Sequence, residues 1–207
     1  MQRTLRVCAL AVAACCTSAR AAEWVSLFDG KTLQGWRETP FTGRGKVHVK
    51  DGAIVLEPGM PMTGVTSTVS FPRTNYEVRF EAVRLKGNDF FASLTFPVGD
   101  SFCTWVNGGW GGDIVGLSSI DGWDASDNET RSYFNFENDR MYAFGLQVTD
   151  GRITASIDGQ EIINADIRGR SIGLRRGEIK LSAPFGLSSY ATSGALRKIE
   201  YRLLPSR

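Results

Sequence analysis

Histidine is almost missing from this chain of 207 residues, with His48 the lone copy. Cysteine is scarce as well: Cys8, Cys15 and Cys16 fall at the start, and Cys103 is solitary in the rest. A zinc centre needs several imidazoles or thiolates and an intrachain disulfide needs two thiols, so the body of the chain offers neither. With no histidine near it in sequence, Cys103 is expected to be a small buried hydrophobe rather than a nucleophile. His48 alternates with Val47 and Val49 and so points away from their face, a minor candidate for a base or metal ligand beside the commoner structural role.

Long apolar runs are also lacking beyond the first residues, and there is no repeat or low-complexity tract. Arg3 and Arg6 precede an apolar run from Val7 to Cys16, and Ala19-Arg20-Ala21 has the small-x-small pattern of a cleavage site. Residues 1–21 therefore read as an export signal, which makes the mature protein periplasmic or secreted. The run is about half the ~20 residues of a membrane-spanning helix, so no transmembrane segment is expected. Val12-Ala13-Ala14-Cys15 resembles a relaxed lipoprotein box, and a lipid anchor at Cys15 is the minor alternative. With Arg3, Arg6 and Arg20 set aside, the formal charge of +2 falls by three to −1. No Lys/Arg stripe remains to meet a phosphate backbone, which excludes a nucleic-acid partner.

What is present is strand-like. From Trp24 onward apolar residues recur with period two, and no long amphipathic helix is written into the pattern. Tyr76, Val78, Phe80 and Ala82 alternate with Glu77, Arg79 and Glu81, one dry face and one wet. Phe90 to Phe96 is apolar enough to be covered on both sides. Tyr142, Phe144, Leu146 and Val148 alternate with Ala143, Gly145, Gln147 and Thr149, a bulky face backed by a small or polar one. Asp51-Gly52, Asp150-Gly151 and Asp158-Gly159 sit between alternating runs and are expected to supply the positive φ of tight hairpins. Ile199, Tyr201 and Leu203 form a last strand, expected to pair beside Trp24 to Phe28. Residues 22–207 thus read as one all-β domain, a two-sheet antiparallel sandwich.

The stretch from Gly108 to Arg131 is not explained by folding alone. It holds Gly108, Gly109, Gly111, Gly112, Gly116 and Gly122, with Trp110 and Trp123. Asp113, Asp121, Asp124, Asp127 and Glu129 accompany them, with no Lys or Arg before Arg131. Glycine lets a backbone approach a ligand, tryptophan offers a flat apolar face, and uncompensated carboxylates repel one another unless used. That mixture suits a polar, ring-shaped ligand such as a saccharide; a long acidic surface loop is the bland alternative. Trp105, Trp110 and Trp123 are the candidates to stack on sugar rings, with Asn107, Asp121 and Asp124 as further substrate-binding residues. Trp24 and Trp36 read as core. The acids from Asp121 to Glu129 could take Ca²⁺ although they lack the regular calcium-loop spacing, and no residue pattern demands a cofactor.

The run Glu23-Trp24-Val25-Ser26-Leu27-Phe28-Asp29-Gly30-Lys31-Thr32-Leu33-Gln34-Gly35-Trp36 resembles the opening signature of the 3-keto-disaccharide hydrolase domain family. Val49-Lys50-Asp51-Gly52-Ala53-Ile54 and the hairpin Leu146 to Ile162 are similar to later segments of that family, the hairpin also to laminin-G-like and concanavalin A-like domains. The resemblance implies a concanavalin A-like jelly roll, bacterial export, and substrates oxidised at sugar C3. Many members carry an Asn-Ser-Gly run ending in arginine on a middle strand, where Phe91 to Pro97 here has none. Arg131 is then left to hold the substrate, or the activity is lost.

A C3 ketone acidifies the C2 hydrogen, so one base can remove that proton, the C1 substituent can leave, and water can add back. Such chemistry needs a base, a group for the enolate oxygen and an acid for the leaving group. Asp113 or Glu129 could be the base, Arg131 the cation, and Asp121 or Asp124 the acid or a ligand. A non-catalytic, lectin-like module using the same groove, and a purely structural interaction domain, are the alternatives.

Overall fold

The computed structural model describes residues 22–205; the expected export signal and the Cys15 alternative lie outside the described residues. Among the described residues fifteen strands follow one another. They are β1 (Val25–Ser26), β2 (Trp36–Glu38), β3 (Val47–Lys50), β4 (Ala53–Leu56), β5 (Met62–Ser67), β6 (Tyr76–Lys86), β7 (Ser93–Val98) and β8 (Ser101–Gly109). The rest are β9 (Ile114–Ser118), β10 (Ser132–Tyr133), β11 (Met141–Val148), β12 (Arg152–Ile157), β13 (Gln160–Asp166), β14 (Gly186–Tyr190) and β15 (Ser193–Leu203). The one helical element among the described residues is the 3-10 turn Glu178–Ser182.

Two antiparallel sheets result. The first runs β13-β12-β11-β6-β15-β4-β3, with β1 also paired to β15; the second runs β10-β9-β8-β7-β14-β5-β2. Val25 lies opposite Tyr201 in the β1–β15 pair, so the chain's opening motif and its last strand share the first sheet.

The inner faces meet in an aromatic core. Phe80 stacks on Phe144 at 4.8 Å within the first sheet, and Trp105 of the second sheet meets Phe144 edge-on at 5.6 Å. Phe71 stacks on Phe185 at 4.2 Å, and the buried Tyr76 hydroxyl crosses between sheets to donate to the Pro97 carbonyl at 2.6 Å. Each such side chain removed from water contributes about 1.5–3 kcal/mol, which is why strict alternation pins the register. Cys103 is fully buried, and burial pushes its thiol pKa up to about 12.

The turns divide. Asp51-Gly52 and Asp158-Gly159 both have positive φ at each residue, the two-residue hairpin geometry that matches strand twist. Asp150-Gly151 does not: its hairpin closes through the Thr149 N–H donating to the Arg152 carbonyl, without positive φ at either residue. The Arg168 side chain packs over Gly151, 3.2 Å from where a Cβ would stand.

Candidate functional site

The outward face of the second sheet carries small and hydroxylated residues. Alternation buries Leu94, Cys103, Trp105, Leu117 and Leu187 in the core, and turns Ser93, Thr104, Ser118 and Ser188 the other way. The long connection 167–185 folds back over this face as a strap. Ser119 and Gly173 exchange backbone hydrogen bonds at 2.7 and 3.1 Å, and the Thr66 hydroxyl donates to the Leu181 carbonyl at 3.3 Å. Between strap and sheet lies a cavity of about 380 Å³. Ser93, Thr104 and Ser118 line its floor, Met62, Phe90, Val106 and Ile179 its apolar sides, and Trp110 and Tyr190 its rim.

Two carboxylates and two arginines complete the lining: Asp89, Glu178, Arg175 and Arg176. Asp89 accepts from the Phe90 N–H at 2.7 Å and the Gly111 N–H at 3.3 Å, which fixes the Trp110 turn against the β6–β7 connection. Glycine is needed in this turn, since a Cβ on Gly112 would stand 2.4 Å from the Asn88 carbonyl oxygen. Trp110 itself takes φ 51, a costly conformation for a bulky residue. Glu178 accepts from the Thr42 hydroxyl at 2.5 Å and the Thr42 N–H at 2.9 Å, and these bonds hold its carboxyl below the usual carboxylate range.

The connection 167–185 is dense in arginine, and the residues differ in what holds them. Arg168 pairs with Asp166; Arg170 pairs with both Asp121 and Glu129 at 2.6 Å; Arg175 pairs with Asp124 at 3.3 Å and lies 5.5 Å over the Trp110 ring. Arg176 has no ion-pair partner among the described residues, so its guanidinium is free to meet a ligand in the cavity.

The residues singled out from sequence are scattered by the fold. Trp110 lines the cavity, and Asp124 reaches it through Arg175. Trp105 does not: it points to the opposite side of β8 and is fully buried against Phe144, a packing residue rather than a stacking platform. Asn107 is also fully buried, its amide nitrogen donating to the Ala92 carbonyl at 3.1 Å. Glu129 and Arg131 share a separate cleft with Asp166 and Arg170, while Asp113 is exposed at the head of β9 and is not part of it. Asp121 is locked by Arg170 and by the Ser171 N–H at 2.7 Å; Trp123 stands 63% exposed.

Three of the acids that could take Ca²⁺ point to arginines instead. Among the described residues no three His, Cys, Asp or Glu side chains converge, because Asp121, Asp124 and Glu129 each turn to an arginine. His48 is half-buried on β3 of the other sheet, its Nδ1 enclosed without a partner. Asp89, Arg175, Arg176 and Glu178 escaped the sequence reading. One signal was available: a connection as long as 167–185, with no strand period, invites the same functional suspicion as Gly108 to Arg131.

Known proteins resemble this architecture. The profile of the 3-keto-alpha-glucoside-1,2-lyase-like domain matches residues 23–202. No curated protein matches the chain. Among solved structures, a candidate glycosyl hydrolase of Parabacteroides distasonis is 11% identical, with TM-score 0.56 over 88% of this chain and 94% of that one. The carbohydrate-binding module CBM66 of Bacillus subtilis is 12% identical, with TM-score 0.53 over 81% and 95%. Domain 4 of the arabinanase AbnA of Geobacillus stearothermophilus, solved with arabinotriose, is 12% identical, with TM-score 0.56 over 89% and 94%. At these identities the likeness is one of fold.

Proposed function

This chain belongs to the family of 3-keto-alpha-glucoside-1,2-lyase-like domains, and on that footing we propose that it is an exported protein cleaving 3-keto-glycosides in the cavity beneath the 167–185 strap. The observation that carries the reading is the unpaired Arg176 sharing one cavity with Asp89 and Trp110. A ring stacked on Trp110 would present its polar edges to the hydroxyl floor and to the charged rim. Asp89 takes the proton from C2, and the electron pair flows to the C3 oxygen as an enolate, stabilised by Arg176. The enolate then collapses, a C1–C2 double bond forms, and the C1–O bond breaks. Protonated Asp89 returns its proton to the departing oxygen, and water addition at C1 completes net hydrolysis.

The test is turnover of a 3-keto-disaccharide beside its unoxidised parent. Cleavage of the oxidised sugar alone is expected, since a positioned base is worth about 10²- to 10⁴-fold, far too little to ionise an unactivated carbon. Asp89→Asn should lower the rate by that factor. Equal cleavage of both sugars would replace elimination by ordinary two-carboxylate hydrolysis. A loss in Glu129→Gln or Asp113→Asn with Asp89→Asn unaffected would move the chemistry to the acidic stretch ending at Arg131.

One observation favours a second reading, a carbohydrate-binding module without catalysis. Asp89 and Glu178 already accept hydrogen bonds from the protein, Glu178 with its basicity reduced. Binding of oxidised and unoxidised sugars alike, with turnover of neither, would select it.

A further inference from the structure

Trp123 is left unused by the cavity, and its setting is unusual for the largest apolar side chain. It stands 63% exposed at the end of a two-residue turn in which Asp121 and Gly122 both have positive φ. The turn is rigid. Ile120 and Trp123 exchange backbone hydrogen bonds at 3.0 and 2.9 Å, the Asn128 amide donates to the Trp123 carbonyl at 3.0 Å, and Asp121 is clamped by Arg170 and the Ser171 N–H. An indole held out to solvent on a fixed backbone is a preorganised surface, because its two rotatable bonds cost little to still on binding.

The turn adjoins the cavity. Arg175, which lies over the Trp110 ring at the cavity rim, pairs with Asp124, the residue next to Trp123, and the Ala125 N–H donates to the hydroxyl of Ser118 on the cavity floor at 2.9 Å. The cavity's volume of about 380 Å³ is near the lower end of the ~300–1,000 Å³ typical of small-molecule sites, so a longer chain must continue over its rim.

We propose that Trp123 is a second saccharide-stacking platform outside the cavity, which makes the ligand an oligosaccharide or a polysaccharide end rather than a disaccharide. The proposal rests on the cavity being the sugar site. A glycan array carrying di- to hexasaccharides, followed by calorimetry on the series with the strongest signal, tests it. Affinity should rise with chain length, and Trp123→Ala should weaken the tetrasaccharide by about tenfold while leaving the disaccharide unchanged; Trp123→Phe should retain most of the gain. The melting temperature of Trp123→Ala should stay close to that of the parent, as most of the residue stands in solvent. An affinity independent of length, a rise that survives Trp123→Ala, an equal loss on the disaccharide, or no glycan bound would each overturn the platform. The two readings fail separately: turnover of a 3-keto-disaccharide with a flat length profile sinks the platform alone, and length-dependent binding without turnover sinks the catalytic reading alone.

Discussion

Trp105 and Trp110 lie on one strand and the turn that follows it, yet alternation and the glycine turn send them to opposite environments. Trp105 is fully buried against Phe144, whereas Trp110 is 40% exposed at the cavity rim under Arg175. Replacing each by alanine should therefore give opposite results. Trp105→Ala should cost about 3–5 kcal/mol of unfolding free energy, the range for deleting a core tryptophan. Trp110→Ala should leave the denaturation midpoint almost unmoved and abolish saccharide binding. Chemical denaturation beside calorimetry separates them, and a large stability loss in Trp110→Ala would reassign it to packing.

At the scale of elements, the strap 167–185 is tied to the Ser119–Glu129 segment by backbone hydrogen bonds and by charge. Arg170 bridges Asp121 and Glu129; the Ser171 N–H and then Arg170 hold the Asp121 carboxyl below its usual range, and Arg170 holds that of Glu129 below its own. The sign follows from linkage. A carboxyl with a lowered folded-state pKa stabilises the fold fully above its ordinary value, and that contribution disappears as pH falls through the lowered value. Thermal stability should be level above the ordinary carboxylate values of 3.8 and 4.5 and decline below them. Arg170→Gln should lower the neutral plateau slightly and shrink the acid limb by the same amount, since these pairs are exposed and screened, while the lowered carboxyls of Asp29, Glu81, Asp166 and Glu178 keep the rest of the limb. An unaltered acid limb in that variant would place the acid sensitivity elsewhere.

On the scale of the whole molecule, both sheets depend on one aromatic core. Phe144 touches Phe80 on its own sheet and Trp105 and Phe91 across the sandwich. Phe144→Ala should cost about 3–5 kcal/mol and loosen both sheets together. Amide exchange should then rise on β8 as much as on β11; a loss confined to β11 would mean that the sheets unfold separately. The same core explains why the cavity has a firm floor: the hydroxyl face of β7, β8 and β9 is the reverse side of strands whose other face is packed.

Period-two alternation at Tyr76 to Ala82 and Tyr142 to Val148 was enough to determine the strands, and the opening motif was enough to identify the family, because both are local patterns in which each residue's face follows from its neighbours. The last strand itself was legible for the same reason, and the isolation of Cys103 followed from composition. Turn chemistry was legible at Asp51-Gly52 and Asp158-Gly159 and misleading at Asp150-Gly151, where neither residue takes positive φ. What only the tertiary structure decided was which charges meet. Asp121 and Glu129 found Arg170, Asp124 found Arg175, and Arg176 was left open to the cavity beside Asp89, a residue far away along the chain. Such pairings depend on how the strap lies across the second sheet, and no periodicity in a single chain encodes the contact between segments so distant in sequence.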